Sequence, residues 1–316
     1  MDSIRARPGL LHPDQRVRDQ VPQSGHEAHP GRSLPGARLP LVATPVSLDL
    51  ADVLAFASAT AEDAGREILE RDGLFPQAPS MKGLRDPVTE ADLASERLIV
   101  ERLTGRFPDH AIFAEEETRV GSRAGLTWYV DPLDGTVNFS QAHPFFAVSL
   151  ALYDGPRPLL GVVHAPRLGE TFAAAAGRGA TLRSPTQAAA QPLSVSSKQA
   201  LIEAVLATGF AYRRHELVDN NVGHFARLVL QVRGIRRAGS AALDLAYVAA
   251  GRLDGYWESD LNPFDLAAGA LLVQAAGGVV SDMHGGQDWL QSGSIVAGGA
   301  AMHAAVLQQL QAGAPS

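Results

Sequence analysis

Residues 128–136 read Trp-Tyr-Val-Asp-Pro-Leu-Asp-Gly-Thr and carry the strongest structural signal in this chain of 316 residues. The three apolar residues that open the stretch predict a buried strand, and Asp131 stands at its end. Pro132 favours an extended backbone at Asp131, because the proline ring disfavours the helical conformation of the residue before it. The strand therefore delivers one carboxylate to a sheet edge, and a second, Asp134, follows after a turn.

The surroundings of these two carboxylates predict a cation and an anion. Between Ala124 and Leu152 the chain has no lysine or arginine, and neighbouring carboxylates raise each other's pKa unless a cation lies between them. Gly135 and Thr136 are expected to open a short helix that ends before Pro144, and their backbone N–H groups can bind an anion. Metal ligands beside an anion cradle indicate a phosphate site, whereas a solvated turn rich in aspartate is the alternative for this motif alone.

Three other segments place acids in comparable positions. Glu115 and Glu116 directly follow an apolar pair at a predicted strand end. Asp265 lies in the first turn of an apolar helix, where it also suits the helix dipole. Thr89 and Asp92 have the spacing of a capping box. Each feature has a purely structural explanation, so a functional interpretation rests on their combination.

Apolar periodicity predicts a mixed α/β chain. Helical spacing over residues 48–70 predicts a first helix, with Ser47 or Asp49 as its cap. A second helix follows the turn-rich segment 72–87, and we expect its charged positions to face solvent: Glu90, Glu96, Arg97 and Glu101. Further strands are expected at residues 111–114, 128–131, 145–152, 160–164, 204–208, 279–282 and 294–297, and further helices at 241–250 and 264–276.

Composition excludes several classes of protein. Hydrophobic residues make up 46% and charged residues 19% of the chain, as in soluble globular proteins. With 27 Lys+Arg against 34 Asp+Glu the net charge is −7, which disfavours a general nucleic-acid-binding surface, and no apolar stretch is long enough to predict a membrane span. The absence of cysteine excludes disulfides, thiolate metal sites and a cysteine nucleophile. It is compatible with a reducing compartment, and we expect a cytoplasmic protein.

Residues 1–45 differ from the rest of the chain. They contain seven of the 20 prolines and carry a formal charge of +2, a composition that disfavours long helices and a buried core. We interpret them as a disordered N-terminal extension or as a translated stretch upstream of the true start. The remainder is expected to divide at a polar junction near residue 190, into an α+β half (46–190) and an α/β half (191–316).

Together, these segments resemble the inositol monophosphatase family of metal-dependent sugar phosphatases. The matching pieces occur in the family's order and extend over about residues 48–310; they are residues 86–92, 115–116, 128–139, 143–152, 239–258 and 263–269. The most specific are the block Asp-Pro-Leu-Asp-Gly-Thr-Val-Asn-Phe at 131–139 and the block Gly-Ser-Ala-Ala-Leu-Asp-Leu-Ala-Tyr-Val-Ala-Ala-Gly-Arg-Leu-Asp-Gly at 239–255. The resemblance implies an α/β (α+β) fold, a layered αβαβα sandwich of the sugar-phosphatase type, paired as a homodimer.

The resemblance also implies a metal site. Glu115, Asp131 and the main-chain carbonyl of Leu133 match the ligands of one Mg²⁺, and Asp131, Asp134 and Asp265 match those of a second. A third, weaker ion would lie near Glu115. Asp265 comes from the second half of the chain and the other ligands from the first. Ligation by oxygen alone agrees with Mg²⁺, for which Mn²⁺ could substitute.

Further positions match residues that contact water or substrate. The backbone amides of Gly135 and Thr136 match those that hold the phosphate, and Thr136 and Asp92 match the pair that orients and deprotonates the attacking water. Glu258 matches an acid that accepts hydrogen bonds from inositol hydroxyls. Lys82 lies near a family lysine that positions a metal-bound water, but it is one residue closer to Asp86 than the pattern has, and its role stays open.

The implied activity is hydrolysis of small polyol or sugar phosphates by metal-activated water, with inositol 1-phosphate as the leading substrate. Histidinol phosphate, fructose 1,6-bisphosphate and 3′-phosphoadenosine phosphate are the alternatives on the same scaffold. Arg213 and Arg214 either line the leaving-group side or are plain surface charges. A haloacid-dehalogenase type of phosphatase is disfavoured because its two aspartates are two residues apart, whereas Asp131 and Asp134 are three apart. A regulatory binding protein would be expected to have lost metal ligands, yet all four acids are present.

Overall fold

The computed structural model describes residues 48–73, 76, 78–83, 86–122 and 125–312. The expectations for residues 1–45, and for Ser47 as a helix cap, lie outside the described residues. The described residues pack together as one unit, and the expected boundary between halves near residue 190 stays a prediction. None of the helices in these ranges is long and apolar enough to cross a membrane.

Helices and strands alternate along most of the described chain. The helices are α1 (Leu50–Glu70), α2 (Glu90–Arg106), α3 (Thr136–Ser140), α4 (Val222–Leu228), α5 (Ala241–Ala249), α6 (Pro263–Ala275), α7 (Trp289–Ser292) and α8 (Ala300–Gln311). The strands are β1 (Ser80–Gly83), β2 (Asp86–Val88), β3 (Ala111–Ala114), β4 (Arg119–Val120), β5 (Leu126–Asp134), β6 (Ala147–Asp154), β7 (Arg157–Ala165), β8 (Glu170–Ala175), β9 (Ala180–Arg183), β10 (Gln191–Pro192), β11 (Val205–Thr208), β12 (Gly234–Arg236), β13 (Gly255–Glu258), β14 (Val279–Ser281) and β15 (Ile295–Gly298).

The larger sheet has eight strands in the order β10-β9-β8-β7-β6-β5-β3-β4. Helices α1 and α2 pack on it through β5, β6, β7 and β8. The inner face of α1 is built from fully buried alanines and Ile68, so the helix can lie close to the strands. Asp49 caps this helix by accepting a 3.0 Å hydrogen bond from the backbone N–H of Ala51, as one of the two expected caps.

A middle layer of α5 and α6 separates this sheet from the second one. Helix α6 contacts β5, β6 and β7 on one side and β14 and β15 on the other. A helix buried between two sheets has little contact with solvent, and α6 is accordingly apolar except for Asp265 in its first turn and Gln274 near its end. Gly161 of β7 permits its close approach, because a Cβ there would lie 2.9 Å from the Cα of Ala268.

The second sheet has five strands in the order β12-β11-β13-β15-β14. Helix α8 packs on β13, β14 and β15 and also contacts α4. The layers of the described chain therefore run helix, sheet, helix, sheet, helix. This confirms the expected α/β (α+β) sandwich.

The strong local signals located the main elements to within a few residues, and the weak ones missed several. The helix expected at 264–276 is α6, and the strand expected at 145–152 begins at Ala147. Strands β8 and β9 were not predicted, since residues 173–175 and 180 are alanines without strand preference. The terminal helix α8 and the central strand β13 were also missed.

The expected wet face of α2 was wrong at one position. Glu96 is only 4% exposed. Its two carboxylate oxygens accept hydrogen bonds of 2.9 Å from the backbone N–H groups of residues 116, 117 and 118. A charged residue can be buried when each oxygen is paired in this way, and periodicity alone does not reveal such pairing.

Candidate active site

A cavity of about 560 Å³ lies at the ends of β5, β11 and β13 and the N-terminal ends of α5 and α6. Its wall is strongly acidic. The acids that line it are Asp86, Glu115, Asp131, Asp134, Asp244, Glu258, Asp260 and Asp265, and the arginines are Arg214 and Arg237. Eight acids against two arginines create a negative field that favours cations.

A β-bulge at the end of β5 turns both aspartates of the central motif to this cavity. Asp131 lies opposite Ser149 of β6 and Asp134 lies opposite Ala147, so that β5 has one residue more than its partner over this interval. The Asp131 carboxylate accepts a 3.0 Å hydrogen bond from the N–H of Leu133. From the neighbouring layer, Ser95 of α2 donates to the carbonyl of Pro132 at 2.8 Å. The turn is thus fixed from both sides.

The N-terminal ends of α5 and α6 bring the remaining contacts. Asp134 accepts hydrogen bonds from the Ser240 hydroxyl at 2.6 Å and from the N–H of Ala242 at 2.7 Å. Asp265, in the first turn of α6, accepts from the N–H of Asn262 at 2.7 Å. Helix α5 therefore directs its N-terminal turn at the Asp134 carboxylate, and α6 carries Asp265 in its own first turn; both positions are favourable for negative charge.

Burial and mutual repulsion raise the pKa of these carboxyl groups. Asp131 is 1% exposed, and burial first, then the charges of Glu115, Asp134 and Asp265, raise its pKa well above the ordinary value. Burial raises the pKa of Asp134 to about 6 although Ser240 and Ala242 oppose the shift. Burial, Glu115 and Asp134 raise the pKa of Asp265 as well. Because each acid opposes the ionisation of the others, a cation would stabilise all of them together.

The donor chemistry fits hard divalent cations such as Mg²⁺, since every side chain of the set offers carboxylate oxygen and none offers sulfur or imidazole. Within the described ranges, no three histidine, aspartate or glutamate side chains are already gathered in a geometry that could hold an ion. Three of the acids are instead turned to protein donors: Glu115 to Lys82, Asp134 to Ser240 and Asp265 to Asn262. The metal site therefore stays a prediction that the donor set supports.

Glu115 and Glu116 lie on a turn that two distant residues hold in place. Glu96 accepts the backbone N–H groups of the turn, as described above. Lys82 of β1 donates to Glu115 at 2.8 Å and to Glu116 at 2.9 Å. Burial and the neighbouring Glu115 raise the pKa of Glu116 to about 7, and Lys82 opposes this shift. Lys82, whose role the sequence left open, thus contacts both glutamates of the acidic turn.

Asp92 and Thr136 form the pair that the sequence suggested. The Thr136 hydroxyl lies 2.9 Å from Asp92 Oδ1 and 3.1 Å from the Leu133 carbonyl. The other oxygen of Asp92 accepts from the N–H and the hydroxyl of Thr89, at 2.7 Å and 2.6 Å, which confirms the expected capping box at the start of α2. Asp92 is fully buried, and burial raises its pKa to about 6 against the opposing effect of these donors.

Gly135 allows the chain to turn from β5 into α3. Its φ of +96° lies in the left-handed region, which favours glycine. A Cβ at this position would meet the carbonyl oxygen of Phe145 at 3.1 Å and the Cβ of Phe146 at 3.2 Å. Both the backbone conformation at position 135 and the space around it therefore favour glycine. This glycine lets helix α3 begin at Thr136, directly after Asp134.

Glu258 lines the wall of the cavity at the end of β13. It is 8% exposed and accepts a hydrogen bond from the hydroxyl of Tyr256. Burial raises its pKa to about 7, whereas Tyr256 and the nearby positive charge of Arg237 oppose this shift. The backbone of Gly209 packs against this carboxyl group, because any Cβ there would overlap it.

The adjacent residues Arg213 and Arg214, near the rim of the cavity, make different contacts. Arg213 forms an ion pair with Asp260, whereas Arg214 lines the cavity and donates to the Ala211 carbonyl at 3.0 Å. Tyr212 lies close enough to the acids for Asp134 and Glu115 to raise its pKa further than burial alone does. Arg214 thus lines the cavity and Arg213 is a largely exposed partner of Asp260, and a contact of either arginine with the leaving group stays a prediction.

The cavity brings together the site residues named from the sequence. Glu115, Asp131, Leu133, Asp134, Gly135, Thr136, Glu258 and Asp265 line it, and Asp92 joins it through Thr136. Sequence reasoning missed Ser240, Asp244 and Arg237, although all three lie in or next to the block at 239–255. The block was recognised only by its resemblance to the family, and no individual role was predicted for these three residues. No local pattern in the sequence shows which face of α5 meets the cavity.

Comparisons with known proteins show the family of this chain. The family model "Inositol monophosphatase family" matches residues 49–313. An inositol-1-monophosphatase from Synechocystis sp. is 42% identical over 265 residues, which is 84% of this chain and 90% of that protein. The Nus factor SuhB of Pseudomonas aeruginosa is 46% identical over 235 residues, 73% of this chain and 84% of that protein.

Solved structures give the same result. The extragenic suppressor protein suhB from Bartonella henselae superposes with a TM-score of 0.76 at 36% identity and covers 83% of this chain and 100% of its own. The inositol monophosphatase from Anabaena superposes with a TM-score of 0.75 at 37% identity, covering 85% and 98%. This chain belongs to the inositol monophosphatase family.

Proposed function

We propose that this protein is a Mg²⁺-dependent phosphomonoesterase that hydrolyses small polyol or sugar phosphates, with inositol 1-phosphate as the leading substrate. The observation that carries the proposal is a single cavity that holds mutually repelling buried carboxylates and, beside them, a carboxylate hydrogen-bonded to a threonine hydroxyl. Phosphatase activity agrees with the family; the metal, the substrate and the residue roles are our proposals.

Glu115, Asp131, Asp134 and Asp265, with the carbonyl of Leu133, would hold two Mg²⁺ ions, and a third would be held weakly near Glu115. Bound there, the ions supply charge neutralisation for the phosphoryl group and Lewis acidity. The first two ions together carry +4, which would offset the four carboxylates, so that a phosphate dianion meets metal and carboxylate charges that cancel. Mn²⁺ fits the same oxygen donors.

Asp92 and Thr136 handle the proton of the attacking water. As the water attacks phosphorus, its proton passes to Thr136 Oγ1 while the Thr136 proton passes to Asp92 Oδ1, across the 2.9 Å contact between them. The P–O bond to the polyol breaks in the same displacement, its electron pair leaves with the polyol oxygen, and that oxygen takes up a proton from a solvent water to give the free hydroxyl. A base is most effective when its pKa lies near the working pH, and the pKa of Asp92, raised to about 6, meets that condition.

The remaining roles fall to groups that orient the substrate. The backbone amides of Gly135 and Thr136 would bind phosphate oxygens, because Gly135 is the N-cap of α3 and Thr136 its first residue, and the first N–H groups of a helix have no partner within it. Glu258 accepts hydrogen bonds from hydroxyls of the polyol. Holding the phosphate at one wall and the polyol at another aligns the scissile bond with the water, which lowers the entropic part of the barrier.

A regulatory binding role is the second candidate, since relatives such as the one from Pseudomonas aeruginosa are named Nus factors. The acids matched to metal ligands and to the base are all present, and this favours the enzyme. A homodimer and a cytoplasmic location stay predictions.

The test is phosphate release by the purified protein with Mg²⁺ from inositol 1-phosphate, histidinol phosphate, fructose 1,6-bisphosphate and adenosine 3′,5′-bisphosphate. We expect the highest kcat/KM for inositol 1-phosphate and no release in EDTA. Asp131→Asn and Asp265→Asn should abolish turnover with the fold retained. Asp154→Asn, at an exposed position in β6, is the matched control. Equal release with and without Mg²⁺, or full activity in either site variant, contradicts the proposal.

A further inference from the structure

Asp244, in the first turns of α5, is a buried acid of the cavity to which the proposed mechanism gives no role. It lines the cavity and is 2% exposed. Its Oδ1 is buried without a hydrogen-bond partner. Buried polar atoms are nearly always paired in folded proteins, so an unpaired oxygen on a side chain that lines a cavity suggests a carboxyl group that turns to satisfy a ligand.

The other buried acids of the same wall differ from Asp244. Asp134 accepts from Ser240 and Ala242, Asp265 accepts from Asn262, and Glu258 accepts from Tyr256. Each of these acids is held in one orientation by the protein. Asp244 differs from these three acids because its Oδ1 has no hydrogen-bond donor in the described part of the protein.

The electrostatic surroundings of Asp244 match those of Glu258. Burial and the charges of Glu258 and Asp134 raise its pKa well above the ordinary value, and the positive charge of Arg237 opposes this. Arg237 opposes the same shift at Glu258. The carboxyl groups of Asp244 and Glu258 therefore both interact with Arg237 and line the same cavity. Neither of them is among the carboxylates assigned to metal.

We propose that Asp244 is a substrate-positioning residue: its carboxyl group, whose Oδ1 no donor among the described residues holds, turns to the cavity that it lines and binds a hydroxyl of the leaving polyol, next to the hydroxyl that Glu258 binds. The inference rests on the proposed phosphatase function and narrows its substrate class. The favoured phosphomonoesters carry at least two hydroxyls besides the ester oxygen. A carboxyl group suits this task because it accepts from a hydroxyl when ionised and also donates to one when protonated.

Asp244 has a competing structural explanation, because an acid near the start of a helix is stabilised by the helix dipole. The two explanations make different predictions. A structural role affects every substrate equally through stability, whereas a positioning role affects only substrates that have the hydroxyl. Sites built to hydrogen-bond a substrate hydroxyl discriminate strongly against analogues that lack it.

The experiment compares Asp244→Ala and Asp244→Asn with the wild type on two phosphomonoesters in Mg²⁺. Inositol 1-phosphate has ring hydroxyls, and p-nitrophenyl phosphate has none. We expect Asp244→Ala to lower kcat/KM for inositol 1-phosphate by about 10- to 100-fold, as for loss of one buried hydrogen-bond partner, and to leave kcat/KM for p-nitrophenyl phosphate within about 2-fold. Asp244→Asn, which can still accept and donate, should keep most of the activity on both. If Asp244→Ala does not fold, Asp244→Ser replaces it.

Asp254→Asn is the control for a buried acid away from the cavity. Asp254 is 2% exposed and accepts from Lys198 and from the N–H of Val205. Asp254→Asn should lower the melting temperature without changing the ratio of kcat/KM for inositol 1-phosphate to kcat/KM for p-nitrophenyl phosphate.

Three results overturn the inference. They are an unchanged kcat/KM for inositol 1-phosphate in Asp244→Ala, an equal loss on both substrates, and a wild type that hydrolyses only p-nitrophenyl phosphate. The last result leaves the phosphatase activity standing and refutes the hydroxyl contact alone. A wild type that hydrolyses neither ester refutes the proposed function itself, and the role of Asp244 with it.

Discussion

Replacing Asp92 by asparagine should stabilise the metal-free protein and inactivate the enzyme. The side chain is fully buried and accepts from Thr89 and Thr136. Asparagine has nearly the same shape and keeps one carbonyl oxygen as acceptor. The substitution therefore removes the charge with little change in packing.

The size of the gain follows from the pKa of Asp92. Burial raises it from 3.8 to about 6, and each pKa unit corresponds to about 1.4 kcal/mol, so the ionised group destabilises the fold by roughly 3 kcal/mol. Because the folded pKa is above the unfolded one, this penalty is absent below about pH 4 and complete above about pH 6. The advantage of Asp92→Asn should grow from about zero at pH 4 to at most ~3 kcal/mol at pH 7.5.

The assay is urea unfolding in EDTA at pH 4 and pH 7.5, with the kinetics measured in Mg²⁺. Loss of a general base lowers kcat by about 10²- to 10⁴-fold. In the wild type, kcat/KM should rise with pH and then level off, because Asp92 must be deprotonated to act; in Mg²⁺ this rise should lie below pH 6, since bound cations lower the pKa of about 6 that Asp92 has in the metal-free protein. Asp154→Asn should change neither quantity. A variant that is no more stable than the wild type at pH 7.5, or that keeps its activity, refutes this reasoning.

Four further outcomes are expected. Gly135→Ala should lower the free energy of unfolding in urea by about 1–3 kcal/mol and remove most of the activity. Gly155→Ala is the control, because the φ of Gly155 is also positive but a Cβ there would meet nothing within 4 Å; it should lose less stability, and equal losses would mean that the contacts at Gly135 are unimportant. Lys82→Met should lower the melting temperature more in EDTA than in Mg²⁺, because Glu115 and Glu116 lose their ammonium partner; an equal drop under both conditions speaks against repulsion at this turn. Glu96→Gln should raise the Mg²⁺ concentration for half-maximal activity, since one oxygen can no longer accept the N–H groups of the acidic turn, and an unchanged Mg²⁺ curve would show that the turn holds without it. Removal of residues 1–45 should leave kcat intact, and a large drop would mean that this segment contributes to the site.

The parts of the fold that the sequence predicted are those set by local interactions. The capping box at Thr89 and Asp92 and the first-turn position of Asp265 depend on residues a few positions apart, and both are present as expected. The turn after Asp131 depends on Pro132 and Gly135, whose backbone preferences act on their immediate neighbours. Such signals are readable in a single chain because no distant partner is needed.

The parts that escaped prediction depend on distant partners. Glu96 is buried because backbone N–H groups some 20 residues away need an acceptor, which an amphipathic pattern does not show. Ser240 reaches Asp134 across 106 residues, and only the resemblance hinted at the segment that contains it. Asp244 is notable for the partner it lacks, a property that exists only in the folded chain.

The most direct test of the metal assignment is an anomalous difference map from crystals of this protein soaked in Mn²⁺. The account predicts two strong peaks within coordinating distance of Glu115, Asp131, Asp134 and Asp265, with the Leu133 carbonyl beside one of them, and their loss in Asp131→Asn. A map from saturated, catalytically active crystals with no peak among these four carboxylates would contradict it.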